Sequence, residues 1–315
     1  MMPDPPSPPR GPVPNHGWRV ALLTSSPDVV HFLGEALRLR NHEVVAVVLP
    51  SGPDGSRPQT QEAWALVQQA VKLAPPSADL LIASRRNRLA PLLAAVQPDF
   101  LLSFFFPWRI PSEALALPRL GSVNLHPSVL PRYRGPNPMG WQLRNDEPEI
   151  GLSFHRMDAQ FDTGPLLAQG RRPITDADTV ESLVEKMMSM AQELLPEVLT
   201  RVAWGDIGET QNDAESTQAG HFEPEYRELD WRQPARALHL KVRACRVASW
   251  RGGRPSYASA ELEGRRIHVL STRLADGGGT ALAAPGAVLA RTGDALLVQC
   301  GDGLLWVLQT EPWQG

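Results

Sequence analysis

Residues 19–37 read Arg19-Val-Ala-Leu-Leu-Thr-Ser25-Ser26-Pro27-Asp-Val29-Val-His-Phe32-Leu33-Gly-Glu-Ala36-Leu37. The run from Arg19 to Ser25 is apolar, short and closed by turn-forming residues, the pattern of a buried strand. Ser26 and Pro27 then read as an N-cap and a first helical residue. Val29, Phe32, Leu33, Ala36 and Leu37 follow at helical spacing. The turn between strand and helix, Thr24-Ser-Ser-Pro-Asp28, holds no GxGxxG through which a pyrophosphate could approach the backbone. No GxxxxGK[ST] occurs in the chain either. The stretch predicts an α/β fold while arguing against a nicotinamide or P-loop enzyme.

The alternation continues outward from there. Glu43–Leu49, Leu80–Ala83, Phe100–Phe106 and Gly121–His126 read as strands. Gln61–Lys72 and Arg86–Val96 read as the helices between them. This rhythm predicts a Rossmann-like, mostly parallel sheet with helices on both faces. Asp178 with Glu181 reads as an acidic capping box opening a helix through Leu195. Residues 205–224 are polar and rich in breakers, a linker pattern. A short helix around Pro234–Ala244 opens a second unit. Ala258–Leu262, Arg266–Leu270, Ala295–Gln299 and Leu304–Leu308 then alternate with tight Gly turns. Such short strands predict a small C-terminal β-barrel or sandwich, OB-like in scale. The expected organisation is a disordered Pro-rich lead (1–17), a catalytic domain (18–204), the linker (205–224) and a β-barrel domain (225–315).

A chain of 315 residues suits two domains, and 42% apolar with 21% charged residues is ordinary for a globular protein. No apolar run is long enough for a membrane span, and the lead lacks the apolar core of a signal peptide. Only Cys245 and Cys300 occur, outside any CxxC pattern, so a reducing cytoplasm is the expected location. The net charge of −3 carries no nucleic-acid signature, and DNA is not an expected partner. The histidines show no metal-ligand spacing, so no metal site is expected. Nothing in the sequence sets an oligomeric state.

The chemistry concentrates in Gly121-Ser-Val-Asn124-Leu-His126-Pro-Ser128-Val-Leu130-Pro131-Arg-Tyr-Arg-Gly135 and the later Asp162-Thr163-Gly164. Asn124 and His126 stand two apart in an extended run, so both point to one face. An amide donor beside an imidazole is the minimal equipment for acyl transfer, one group holding the oxyanion and the other moving the proton. Each piece alone is weak. A lone His before Pro is usually a loop residue, and Asp-Thr-Gly usually an Asx-type turn. The ordered composite is far more specific.

That composite resembles the formyltransferases that use 10-formyltetrahydrofolate, whose hallmark is Asn-x-His-x-Ser-x-Leu-Pro-x-x-x-Gly with a later Asp-(Thr/Ala)-Gly. The resemblance runs from about Trp18 to the C-terminus, with Leu229-Asp-Trp231 and Leu240–Ala244 ahead of the β-rich end. It implies that Asn124 bonds the formyl oxygen, that His126 relays the proton of the attacking amine, and that Asp162 orients and supports His126. It implies 10-formyltetrahydrofolate as donor, released as tetrahydrofolate, with no metal. The folate pocket is expected around Phe106, Trp108, Arg109, Ile110 and Leu130, with Asp162 closing it. For Trp108, stacking on the pterin or the acceptor and covering the sheet edge stand as equal readings, and Phe104 and Phe105 read as core.

Two acceptors compete. Methionyl-tRNA formyltransferases resemble the chain in length and layout, but usually carry a basic loop where Ser51–Glu62 has one Arg and two acids. They usually read Arg-Gly-Ala-Ala-Pro where this chain has Arg134-Gly-Pro136-Asn137-Pro. Lys241, Arg243, Arg246, Arg251 and Arg254 form a basic cluster in the second unit, yet a solvated helix face explains them equally well. The favoured acceptor is therefore a primary amine on a small molecule, such as an amino sugar or a natural-product or peptide precursor, with initiator Met-tRNA as the alternative. His155 reads either as facing that acceptor or as an ordinary strand histidine. A hydrolase of the donor would need a regulatory domain ahead of the catalytic one. A non-catalytic folate-binding module is the remaining reading.

Overall fold

The structure is a computed structural model and describes residues 17–51, 61–249, 257–275 and 283–313. The Pro-rich lead through residue 16, most of the Ser51–Glu62 stretch, and Arg251 and Arg254 lie outside the described residues. In chain order the elements are β1 (Arg19–Leu23), α1 (Pro27–Arg38), β2 (Glu43–Pro50), α2 (Gln61–Leu73), β3 (Asp79–Ala83), α3 (Leu89–Val96), β4 (Phe100–Phe104), α4 (Ser112–Leu115), β5 (Ser122–His126), α5 (Pro138–Arg144), β6 (Glu149–Arg156), β7 (Leu166–Pro173) and α6 (Val180–Ala203). After these come α7 (Ala235–Ser249), β8 (Ala258–Leu262), β9 (Arg265–Leu274), β10 (Val288–Thr292), β11 (Ala295–Gln299) and β12 (Leu304–Pro312).

Strands β1 to β7 form one sheet in the order β3-β2-β1-β4-β5-β6-β7. β1 through β5 pair in parallel. β6 then lies antiparallel on β5. The expected Rossmann-like, mostly parallel sheet is therefore present, with a reversed strand beside β5. β4 is buried along its whole length, as a parallel strand covered on both faces must be. Strand order reverses between β1 and β4, so two carboxyl ends open side by side there. Ser25 ties those ends together, its N–H and hydroxyl both donating to the Phe105 carbonyl, at 3.1 and 2.6 Å.

Two helix starts differ in detail from the sequence reading. Ser26 occupies the N-cap of α1 in extended conformation, but its side chain makes no cap bond. Instead its N–H donates to the Thr24 hydroxyl at 3.0 Å. At α6 the capping box sits one residue later than Asp178 and Glu181. Ser182 N–H donates to Thr179 Oγ1 at 3.3 Å and Thr179 N–H donates to Ser182 Oγ at 3.1 Å. Asp178 is left to accept from Thr175 N–H and the Ser182 hydroxyl. Two hydroxyls complete the reciprocal pair, and the acid braces the turn before it.

The chain divides into two compact units. One comprises Met1–Arg134, Gly151–Arg171 and Lys186–Thr217; the other comprises Gly135–Ile150, Arg172–Glu185 and Gln218–Gly315. In the second unit five antiparallel strands run β10-β11-β12-β9-β8. Leu238, Val242 and Cys245 of α7 share a core with Ala260, Val269, Val298 and Leu305 of that sheet. Edge strand β10, too exposed to show an apolar rhythm, escapes sequence reading. Cys245 and Cys300 are buried thiols outside any disulfide, and burial pushes both up to about 12. Among the described residues no helix is long and apolar enough to cross a membrane.

Candidate active site

Strand β5 carries the first two groups, and β6 sets others opposite them. In the antiparallel register Asn124 faces His155 and His126 faces Ser153. Directly opposed residues share a face, and alternate residues on a strand do too. The register therefore gathers Asn124, His126, Ser153 and His155 on one face of the sheet. Asp162 comes from the loop between β6 and β7. His126 Nδ1 lies 3.3 Å from Asp162 Oδ1, with both side chains almost wholly buried. His126 Nε2 is 2.8 Å from the Tyr133 carbonyl oxygen. A carbonyl only accepts, so Nε2 carries a hydrogen, and Nδ1 is the nitrogen that faces the Asp162 carboxylate. Asn124 Nδ2 is 3.1 Å from His155 Nε2.

Burial alone would raise the Asp162 pKa, because a low-dielectric site disfavours charge. The His126 and His155 imidazoles together more than offset this, so the carboxyl lies well below the usual carboxylate range. Asp162 is thus a buried anion set against the Nδ1 edge of the His126 ring. An imidazolium formed there would be stabilised at once.

The loops that aim these groups explain the motif glycines. A Cβ on Gly164 would fall 1.9 Å from the Arg156 carbonyl oxygen, so only glycine lets the Asp162 loop close against β6. A Cβ on Gly151 would meet the Val129 amide nitrogen at 2.6 Å, beneath the turn after His126. Asp162 and Tyr133 both adopt left-handed backbone, at φ 58° and 63°. Such conformations cost non-glycine residues about 1–3 kcal/mol and persist where neighbours enforce them. For Asp162 the enforcing neighbour is Gln211, whose buried amide donates to the Asp162 and Gly164 carbonyls at 2.9 and 2.7 Å. Gln211 Oε1 in turn accepts from Arg134 at 2.7 Å. Thr163 donates to Asp158, and the Asx-type turn that Asp-Thr-Gly suggests belongs to Asp158, which accepts from Gln160 N–H. Ser153 donates to the Ser128 carbonyl at 2.6 Å and accepts from Leu130 N–H at 3.0 Å, holding the turn that follows β5.

Residues 18–199 match the formyl transferase family, and residues 222–315 match the formyl transferase C-terminal domain. This chain belongs to the formyl transferase family. It is 36% identical over 228 residues to the methionyl-tRNA formyltransferase of Pelobacter propionicus, covering 72% of this chain and 68% of that one. It is 31% identical over 295 residues to the methionyl-tRNA formyltransferase of Trichlorobacter lovleyi, covering 92% and 88%. The N-formyltransferase from Helicobacter canadensis, solved with folinic acid and dTDP-3-aminofucose, shares the fold. Its TM-score is 0.63 at 18% identity, over 93% of this chain and 99% of that one.

The formyl transferase residues named from sequence fall into two groups. Asn124, His126 and Asp162 are brought together. Of the others, Trp108 and Ile110 turn their side chains into the core with Leu89, Leu93, Leu101 and Ala114. The Trp108 ring meets Phe106 edge-on at 5.6 Å. Leu130 is buried, Phe106 half-buried and Arg109 exposed. Sequence reasoning missed Gln211, Ser153 and the Tyr133 carbonyl. A main-chain acceptor leaves no trace in residue type, and Gln211 stands in a stretch whose polarity reads as linker. Among the described residues no group of three or more His, Cys, Asp or Glu is placed to hold a metal ion.

Proposed function

We propose that this formyltransferase moves the formyl group of 10-formyltetrahydrofolate to a primary amine on a small molecule. The observation that carries the reaction is the convergence of Asn124, His126 and Asp162 on one face of β5. The donor supplies a formyl group activated on nitrogen. Its oxygen gains charge as the amine attacks, and an Asn124 N–H is the group suited to hold it. An amide nitrogen has two hydrogens, and His155 uses one. His126 Nδ1 takes the amine proton and Asp162 stabilises the resulting imidazolium, which would return that proton to the folate nitrogen as its bond to the formyl carbon breaks and tetrahydrofolate leaves. One oxyanion donor is worth about 10²–10³ in rate, and a positioned base about 10²–10⁴. The donor set fits a formyl-folate: the half-buried Asn124 amide has a hydrogen to spare, and no metal is required by this chemistry. Phe106, Trp108, Arg109, Ile110 and Leu130 are the residues that would hold the folate. Trp108, Ile110 and Leu130 would do so through main-chain groups, since their side chains are already buried.

The acceptor reading rests on the second unit's cations. Lys241 donates to the Glu228 carbonyl at 3.0 Å, and Arg243 donates to the Thr175 and Asp178 carbonyls at 2.7 and 3.1 Å. The Arg246 guanidinium sits 5.3 Å from the Tyr257 ring centroid. Cations so engaged are poor phosphate ligands, which favours a small amine over tRNA. A second reading, initiator Met-tRNA as acceptor, is favoured by the names of the relatives that match across most of the chain.

The test is a mass-spectrometric formylation assay with 10-formyltetrahydrofolate and His126→Ala as blank. Amino sugars and aminoacyl small molecules form one arm, and charged initiator Met-tRNA forms the other. Formylation confined to the small amines upholds the proposal. Rapid formylation of the tRNA replaces it with the second reading.

A further inference from the structure

His155 is buried on β6 directly opposite Asn124, with 2% of its surface exposed. Its Nδ1 lies 2.8 Å from the Arg156 carbonyl oxygen. That oxygen can only accept, so Nδ1 carries the hydrogen and the neutral ring presents a lone pair at Nε2. Nε2 is 3.1 Å from Asn124 Nδ2, while Asp162 Oδ1, at 3.6 Å, is beyond hydrogen-bond reach. The ring therefore accepts from the amide.

This bond decides which end of the Asn124 amide goes where. A carboxamide is nearly symmetric in shape, and rotation about its last bond exchanges oxygen for nitrogen. The two ends are opposite in chemistry. Nδ2–H stabilises a developing oxyanion, and Oδ1 repels it. A flipped Asn124 would also set Oδ1 against the His155 lone pair. We propose that His155 is a positioning residue for formyl transfer, fixing the Asn124 amide so that its remaining Nδ2–H, and not its oxygen, is offered to the formyl oxygen. The inference rests on the reading of Asn124 as the oxyanion donor. It gives His155 a task that needs no contact with the acceptor.

Three features make the placement robust. The cross-strand register fixes the distance between the two side chains. The Arg156 carbonyl fixes the tautomer. Gly164, whose Cβ position lies 3.6 Å from His155 Nδ1, packs the Asp162 loop against the ring. No charge on His155 is required, and a protonated ring would lose the acceptor on which the arrangement depends.

The test is a double-mutant cycle. His155→Leu removes the acceptor from a buried site, and His155→Gln restores one. Each is measured in the native and Asn124→Ala backgrounds, with kcat and KM separated. His155→Leu is expected to lower kcat on the order of 10–100-fold, a part of what the oxyanion donor supplies. KM for donor and acceptor should stay within about two-fold, since the lost interaction acts in the transition state. His155→Gln should recover part of the loss. In the Asn124→Ala background His155→Leu should cost almost nothing further. An equal loss in both backgrounds, or an unchanged kcat in His155→Leu, overturns the proposal. Nitrogen NMR of the labelled wild-type imidazoles provides an arm that needs neither a folded variant nor an acceptor. A Nδ1–H tautomer of His155 with an unprotonated, hydrogen-bonded Nε2 upholds the assignment, and a Nε2–H tautomer overturns it. Absence of formyl transfer by the wild type would defeat the functional reading while leaving this spectrum to decide the arrangement of the amide.

Discussion

Two polar clusters in this protein differ in what they leave available. In the second unit Arg236 grips Asp146 with two bonds of 2.6 Å and reaches Asp176 at 3.2 Å. Beside it Arg243 lies 3.8 Å from the same Asp176. These residues line a cavity of about 240 Å³, and Arg236 and its partners are half exposed. Guanidinium keeps its proton at every physiological pH, so the cluster balances charge without exchanging anything. In the first unit the anion is Asp162, and its neighbours are imidazoles anchored on main-chain carbonyls. A density of charged residues therefore says little. What distinguishes the site is a buried anion whose neighbours are imidazoles held in place by main-chain carbonyls.

The largest expected contrast is in turnover. Asn124→Ala and His126→Ala should each lower kcat by about 10²–10⁴, whereas Arg236→Met should leave it within about two-fold. Steady-state kinetics on an identified acceptor check this, and comparable losses from both clusters would erase the distinction. Next comes the geometry of the Asp162 loop. Gly164→Ala must displace the Arg156 carbonyl and should cost about 1–3 kcal/mol by urea unfolding, with loss of activity besides. Gln211→Leu should cost a similar 1–3 kcal/mol, since it strips two carbonyls of their buried donor. Native-like stability in either variant would show that the loop holds Asp162 without them.

A subtler difference lies in acid stability. The folded Asp162 pKa is below its unfolded value of about 3.8. Its stabilising contribution is therefore full above that value and lost as pH falls through the lower, folded one. Thermal unfolding of Asp162→Asn should change less than that of the wild type between about pH 5 and pH 3. An identical slope in the two proteins would deny the carboxylate this role. Smallest of all, Arg236→Met should shift stability by less than about 1 kcal/mol, because a half-exposed pair is screened by water. A much larger loss would mark that cluster as structurally decisive.

Most of the fold was legible because its signals are local. Each of the strands β1, β2, β4 and β5 shows as an apolar run, and the Gly turns around 264 and 301–303 mark the second unit. Asn124 and His126 were legible for the same reason, two residues apart on one strand. Asp162 needed the resemblance, since nothing in Asp-Thr-Gly itself says that it reaches an imidazole. The partners that orient these groups were not legible. The Tyr133 carbonyl is a backbone atom, Gln211 is an amide in a polar stretch, and His155 depends on a register that only pairing reveals. At α6 the one-residue shift of the capping box arose because hydroxyl and acid compete for the same turn. Reading residue types finds the polar side chains proposed to react. It does not find those that hold them still.

The opposed pairs on β5 and β6 bear on how much rewriting the chain between those strands can tolerate. Asn124 and His126 keep their neighbours through strand pairing, and pairing is indifferent to how much chain lies between the two strands. Segments can lengthen, shorten or be rewritten there while the opposed side chains keep their mutual distances. The candidate site is thus defined by which residues face each other across two strands, not by how far apart they stand in the chain.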